Sequence, residues 1–231
     1  MDRLIRVIVP IPLPRAALDN FAAQLPPGLI GPGFAVDFVG TRNGGQLGGD
    51  QMEVLLFGTF VYDAGVAALR ARLTIPVIGS GATAFLMACQ LGKTFSVISM
   101  WGRWNHFYAK ILAEQGLAGR CVSMRDVGIR PDTAELLPGK EHFIFDRLEQ
   151  ECRRAIDEDG AEVIVPGSTT MHQSHAHLAR VLPVPVINPG VVSCKAAEAL
   201  VQLGLAQSKA HYHQPERPMD DIFAHVPAVF P

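Results

Sequence analysis

The sequence predicts an α/β protein of two pseudo-symmetric lobes, each a parallel-sheet α/β sandwich, with an active-site cleft between them. Three observations carry this expectation. Short apolar runs alternate with longer stretches of helical spacing, the signature of β-α units around parallel sheets. One segment of the first half recurs, ungapped, in the second. Each copy also places a glycine and a hydroxyl residue where a strand must turn into a helix.

The apolar runs are LIRVIV at 4–9, FAVDFV at 34–39, EVLLFG at 53–58, TFSVISM at 94–100 and EVIVPG at 162–167. RVIV and FSVISM read as the first strand of each lobe, dividing the chain into 1–93 plus 206–231 and 94–205. From Gly139 to Asp159, acidic and basic residues mix among Ile144, Phe145, Leu148 and Ile156. That is the pattern of an amphipathic outer helix whose charges form a solvated face. The end, QSKAHYHQPERPMDDIFAHVPAVFP, loses helical periodicity and contains four prolines, so it is expected to wrap a lobe as irregular chain.

The recurring segment sharpens the fold. EVLLFGTFVYDAGVAALRARLTIPVIGSG, from Glu53, lies over EVIVPGSTTMHQSHAHLARVLPVPVINPG, from Glu162, at a constant offset of 109 residues. Gly58 meets Gly167, Thr59 meets Ser168, Leu69 meets Leu178, Pro76 meets Pro185 and Gly81 meets Gly190. Each copy reads as strand, Gly-hydroxyl turn, amphipathic helix, short P-V-I strand, glycine turn and second helix.

Ligands of parallel α/β sheets gather at the carboxyl ends of strands, where the first amides of the next helix are unpaired. Gly58-Thr59-Phe60 and Gly167-Ser168-Thr169-Thr170 therefore offer a hydroxyl and several amide donors at equivalent points of the two lobes. Such a cradle suits a carboxylate or carbonyl. A hydroxyl residue after a strand also serves as an ordinary helix cap. The matched occurrence in both copies is what favours a ligand.

Composition narrows the partners. A chain of 231 residues buries a full core without staples. A charged fraction of 18% with a formal net charge of −2 offers no basic surface to nucleic acid. The start, MDRLIRVIVPIPLPRAAL, is broken by Arg6 and three prolines and reads as neither signal peptide nor spanning helix, so no membrane partner and a cytoplasmic location are expected. Cys89, Cys121, Cys152 and Cys194 are scattered, without a C-x-x-C pair or histidine at ligand spacing, and read as free thiols. The expected partner is a small molecule, without cofactor or metal, and a homo-oligomer is compatible with the sequence.

VIVPGSTTM followed by VPVINPGVVSCKAAEALVQLGLAQSK resembles the second catalytic segment and terminal helix of hydantoin and allantoin racemases, in the aspartate/glutamate/hydantoin racemase superfamily. FGTFVYDAGVAALRA and IPVIGSGATAFLMACQLGKTFSVIS are similar to the first catalytic segment, with Asp63 and Gly65 keeping its Asp-Pro-Gly turn and alanine replacing the proline. The resemblance spans nearly the whole chain. It implies a cofactor-independent enzyme in which two opposed cysteines remove and return the proton on the carbon beside a carbonyl. Here Ser168 stands at the second thiol's position and Thr59, or Gly58 by an ambiguity of one residue, at the first. A thiol of pKa about 8.5 is readily tuned to act as a base near neutrality. A serine hydroxyl needs an adjacent base. Two-thiol racemisation is therefore not expected, while the amide cradle can still stabilise an enolate or tetrahedral anion. The arylmalonate decarboxylase branch is similar in having Gly-Thr at the first turn, although it keeps the second cysteine.

Other residues have two readings each. His172 follows Ser168 by four residues, so a helix beginning near Thr169 would bring its imidazole to the serine hydroxyl. His175 and His177 of the same MHQSHAH cluster read as surface or packing residues. Asp63 follows Thr59 by the same spacing and is either a second titratable partner or a carboxylate at a helix start. Ser99 keeps a hydroxyl where racemase relatives contact substrate, and Trp101 or Trp104 is a wall for a ringed ligand or plain packing. Pro10 stands in Val9-Pro10-Ile11-Pro12 where relatives carry Asn-Pro-Asn-Thr, and Arg42, between Thr41 and Asn43, is an anion partner or an exposed loop residue.

Three functions follow. The first is an isomerase or lyase acting beside the carbonyl of a small carboxylate or cyclic amide, with Ser168, Thr59, His172 and Asp63 as its chemical groups. The second is a hydrolase opening a cyclic amide or imide, with Ser168 attacking and His172 assisting. The third is a small-ligand binding protein that has lost the chemistry.

Overall fold

The computed structural model describes residues 3–9, 13–40, 63, 65–129, 141–169 and 172–217, with Glu141 and His172 described by backbone alone. These fall into two compact units. One holds the described residues up to Gly79 together with those from Cys194 on, and the other runs from Ser80 to Ser193.

In the first unit β1 (Arg3–Val9) and β2 (Phe34–Gly40) pair in parallel, with Arg3 opposite Phe34 and Val9 opposite Gly40. Parallel neighbours need a crossover, which α1 (Arg15–Ala23) supplies. Leu18 and Phe21 of α1 are buried with Ile5, Val9 and Phe38 of the strands, and the Phe21 and Phe38 rings lie 6.3 Å apart. Next comes α2 (Val66–Arg72), entered through Gly65 at a φ of 73°, a left-handed conformation that glycine adopts without strain.

The chain near the C-terminus packs on the end of α2. The Lys209 ammonium donates to the carbonyls of Arg70 at 2.6 Å, Ala71 at 2.9 Å and Leu73 at 2.5 Å. Gln207 donates to the Val77 carbonyl, and Arg70 donates to the Tyr212 hydroxyl while its guanidinium sits 5.5 Å over the same ring. Orphan carbonyls at a helix end attract a cation, so the expected wrapping has a physical anchor.

The second unit is built on a parallel sheet in the order β4-β3-β5, with β3 at Phe95–Ser99, β4 at Cys121–Asp126 and β5 at Ile164–Pro166. All five residues of β3 are buried, as in a central strand covered on both faces. Phe85 of α3 (Ser80–Leu91) stacks on Phe95 at 5.5 Å. Tyr108, Ile111 and Leu112 of α4 (Asn105–Glu114) form a buried i, i+3, i+4 stripe. A 3-10 turn at Glu141–Ile144 leads into α5 (Phe145–Asp157), which buries Leu148, Cys152 and Ala155. Then follow α6 (His172–Val181) and α7 (Pro189–Gln202), the latter opening on a proline with the Asn188 side chain accepting the Val191 N–H at 3.2 Å.

The repeat is visible in the elements. Arg72 and Val181, which end α2 and α6, stand 109 residues apart, and so do Ser80 and Pro189, which open α3 and α7. Four of the five expected strands are present within two residues at either end, and the fifth, at 53–58, lies outside the described residues.

Three expectations change. The strand β4 was not anticipated, because CVSMRD has no apolar run and lies at an edge of the described sheet. The unit boundaries fall at Gly79/Ser80 and Ser193/Cys194 rather than at 93/94 and 205/206. The helix after each P-V-I segment is responsible: α3 packs on α4 and β5, and most of α7 counts with the first unit. Finally, the charges near α5 do not form a merely solvated face. Arg125 of β4, 16% exposed, donates to Asp159, Glu158 and Glu151, drawing three carboxylates into one network. No described helix is long and apolar enough to cross a membrane.

Candidate active site

Because β3 and β5 run parallel, their carboxyl ends lie side by side in the second unit. Ser99 closes one strand, and Gly167-Ser168-Thr169 follows the other. Gly167 donates its N–H to the Ile98 carbonyl at 2.8 Å, carrying the ladder one step beyond β5. Its own carbonyl accepts the Tyr108 hydroxyl at 2.9 Å. A Cβ on Gly167 would fall 2.5 Å from Tyr108 Oη and 3.2 Å from Ser99 Cβ. Glycine is required here by close packing.

Ser168 is 3% exposed, so its hydroxyl sits at the buried root of the turn, while Thr169 is half-buried. Ser99 is also buried, its hydroxyl donating to Asn105 Oδ1 at 3.1 Å, and Asn105 Nδ2 donates to the Met124 carbonyl. The Ser99 hydroxyl thus ties β3 to α4. Half-buried Trp101 carries the Arg103 guanidinium 5.3 Å over its ring and meets Trp104 edge-on at 6.3 Å. At the end of β4, Asp126 accepts the Gly128 N–H at 2.9 Å and packs beside Gly102.

The structure therefore brings Gly167, Ser168 and Ser99 together at one end of one sheet, with Trp101 two residues beyond. Asp63 belongs to the first unit, where its carboxylate carbon lies 2.5 Å from where a Cβ on Gly79 would stand. His172 is the first described residue of α6, and both Ser168 and Thr169 are non-helical. The His172 imidazole, and Thr59, Gly58, Phe60, Thr170, Arg42 and Pro10, lie outside the described residues.

His175, His177 and the thiols of Cys121, Cys152 and Cys194 have packing roles in the described structure. His175 Nε2 donates to the Val186 carbonyl at 3.0 Å, and burial lowers its pKa, which keeps it neutral. His177 stacks on Phe145 with centroids 4.6 Å apart and meets Glu149 at 3.1 Å. Burial pushes the thiols of Cys121 and Cys194 up to about 11 and that of Cys152 up to about 12, so none of these three is a base near neutrality. Among the described residues no group of three His, Cys, Asp or Glu side chains could hold a metal ion.

Sequence reasoning missed Tyr108 and Asn105. The available signal was a phenol on the apolar face of a helix, which must find an acceptor when buried. Nothing in the sequence says which.

The Asp/Glu/Hydantoin racemase family model matches residues 42–197, a span that includes Ser99 and the Gly167-Ser168 turn. The hydantoin racemase of Paenarthrobacter aurescens is 32% identical over 167 residues, covering 71% of this chain and 67% of that protein. The hydantoin racemase of Pseudomonas sp. (strain NS671) is 29% identical over 177 residues, 76% of this chain and 68% of that protein. Among solved structures, the allantoin racemase from Klebsiella pneumoniae aligns with a TM-score of 0.80 at 26% identity, over 94% of this chain and 95% of that one. Taken with the parallel α/β architecture and the glycine-hydroxyl turn, these matches show that the chain belongs to the Asp/Glu/hydantoin racemase family.

Proposed function

We propose that this chain is a cofactor-independent isomerase that moves the proton on the carbon beside the carbonyl of a small cyclic amide or carboxylate, without a thiol at Ser168. The observation that carries this reading is the Gly167-Ser168 turn. It places a buried hydroxyl at a strand end, at the position the family resemblance gives to a catalytic thiol. Relatives that act on hydantoin and allantoin favour a cyclic amide over an open carboxylate.

The chemistry is consistent with the missing thiol. A hydrogen beside a ring carbonyl is already acidified, because the carbanion is delocalised onto oxygen. What the protein must add is stabilisation of that oxygen, which hydroxyl and amide donors supply, together with a base matched to the task. Ser168 serves as a donor in this account, and the base is another group.

The test is a panel of enantiopure ring-substituted hydantoins, allantoin, amino acids and arylmalonates, followed by optical rotation and product mass. Decay of rotation at constant mass supports the isomerase. Ring opening would establish a hydrolase instead, loss of carbon dioxide a lyase, and binding without turnover a ligand-binding protein.

A further inference from the structure

Tyr108 is 1% exposed and sits on the buried stripe of α4, where a phenylalanine would fill the same space. Its hydroxyl is nevertheless aimed at one acceptor, the Gly167 carbonyl, at 2.9 Å. The residue it meets has no side chain, and any Cβ there would fall 2.5 Å from the phenolic oxygen and 3.0 Å from the carbon bearing it. Tyrosine and glycine are thus fitted to each other, and the fit lies immediately before Ser168.

Gly167 is held on both sides, its N–H by the Ile98 carbonyl of β3 and its C=O by Tyr108. In a trans peptide the carbonyl and the following N–H point in opposite directions. Fixing the Gly167 carbonyl towards Tyr108 therefore fixes the direction of the Ser168 N–H and the point from which the Ser168 side chain departs. Ser99, whose Cβ also abuts Gly167, closes the third side.

We propose that Tyr108 is a positioning residue for the reaction: by anchoring the Gly167 carbonyl it orients the Ser168 amide and hydroxyl towards the substrate oxygen that gathers charge. This rests on the isomerase reading above. Tyr108 touches no substrate in this role. Burial raises its pKa, so the phenol stays protonated and remains a donor across the working range.

Three measurements on Tyr108→Phe test the proposal. With the best substrate of the panel, kcat should fall about tenfold while KM changes by less than about twofold, the split expected when a donor is misaligned for the transition state alone. The pH profile of kcat should keep its shape, because the base is unchanged. In the free protein, the backbone amide of Ser168 should shift in the nitrogen–proton NMR spectrum and exchange with solvent about tenfold faster, while amides of Val97 and Ile98 stay as in wild type. An unchanged kcat, or a fall in KM-dependent binding alone, would overturn the proposal. If wild type turns nothing over, the functional reading fails by itself, and the Ser168 amide then decides: equal exchange in both proteins overturns the positioning role, and selective loosening upholds it.

Discussion

Replacing Lys209 with methionine should destabilise the protein by about 2 kcal/mol. The ammonium donates to three carbonyls, those of Arg70, Ala71 and Leu73, at the end of α2. A hydrogen bond to a charged group contributes about 1.5–3 kcal/mol, and one ammonium shared among three acceptors counts for about the lower end of that range. A cation at a helix C-terminus adds about 0.3–1 kcal/mol. The ordering of the long side chain, about 1.5–2 kcal/mol for lysine and methionine alike, cancels in the comparison. Methionine keeps most of the apolar stem, so the difference isolates the charge and its three bonds. In a chain of this size the expected loss corresponds to a fall in Tm of roughly 4–8 °C. Urea denaturation of wild type, Lys209→Met and Lys209→Ala measures it. A Lys209→Met protein within about 0.5 kcal/mol of wild type would refute the reasoning, because water would then satisfy those carbonyls equally well.

Two further outcomes follow from the second unit. The hydrogen bonds of Arg125, with help from Ser123, hold the Asp159 carboxyl down at about 2, against an ordinary value of 3.8. The stability this provides is present above the ordinary value and is lost as pH falls through about 2. Asp159→Asn should therefore flatten the decline of the urea midpoint between pH 5 and pH 2 on the scale of about one carboxylate, and equal slopes in the two proteins would contradict it. Gly167→Ala should destabilise by about 1–3 kcal/mol, since its Cβ would collide with the Tyr108 hydroxyl. Combining it with Tyr108→Phe should recover part of that loss in a double-mutant cycle, whereas strictly additive effects would show that the two residues do not meet.

Much of this architecture was legible because it rests on local chemistry. Strands β1, β2 and β3 announce themselves as apolar runs, and the repeat shows through glycines and P-V-I segments that the backbone turns demand. The edge strand β4 was hidden, since one exposed side lets CVSMRD carry serine, arginine and aspartate. Arg125 and its carboxylates were hidden for another reason: its partners lie 26 to 34 residues away, and charge spacing reports only i, i+3 and i, i+4 neighbours. At the candidate site, Gly167 and Ser168 were named from the rule that ligands gather where parallel strands end, and Ser99 from the family resemblance. Tyr108 was not, because its helical spacing says that it is buried and not what its hydroxyl meets.

The most direct test of the account is solvent deuterium exchange. One enantiomer of an aromatic-substituted hydantoin, in deuterated buffer near neutral pH, is followed by NMR and mass spectrometry with wild type and Ser168→Ala, each with and without iodoacetamide. The account expects deuterium at the carbon beside the carbonyl, the ring intact, a rate lowered about tenfold to a hundredfold by Ser168→Ala, and no inhibition by the alkylating reagent. Exchange no faster than in buffer, exchange indifferent to Ser168, or activity abolished by thiol alkylation would contradict it.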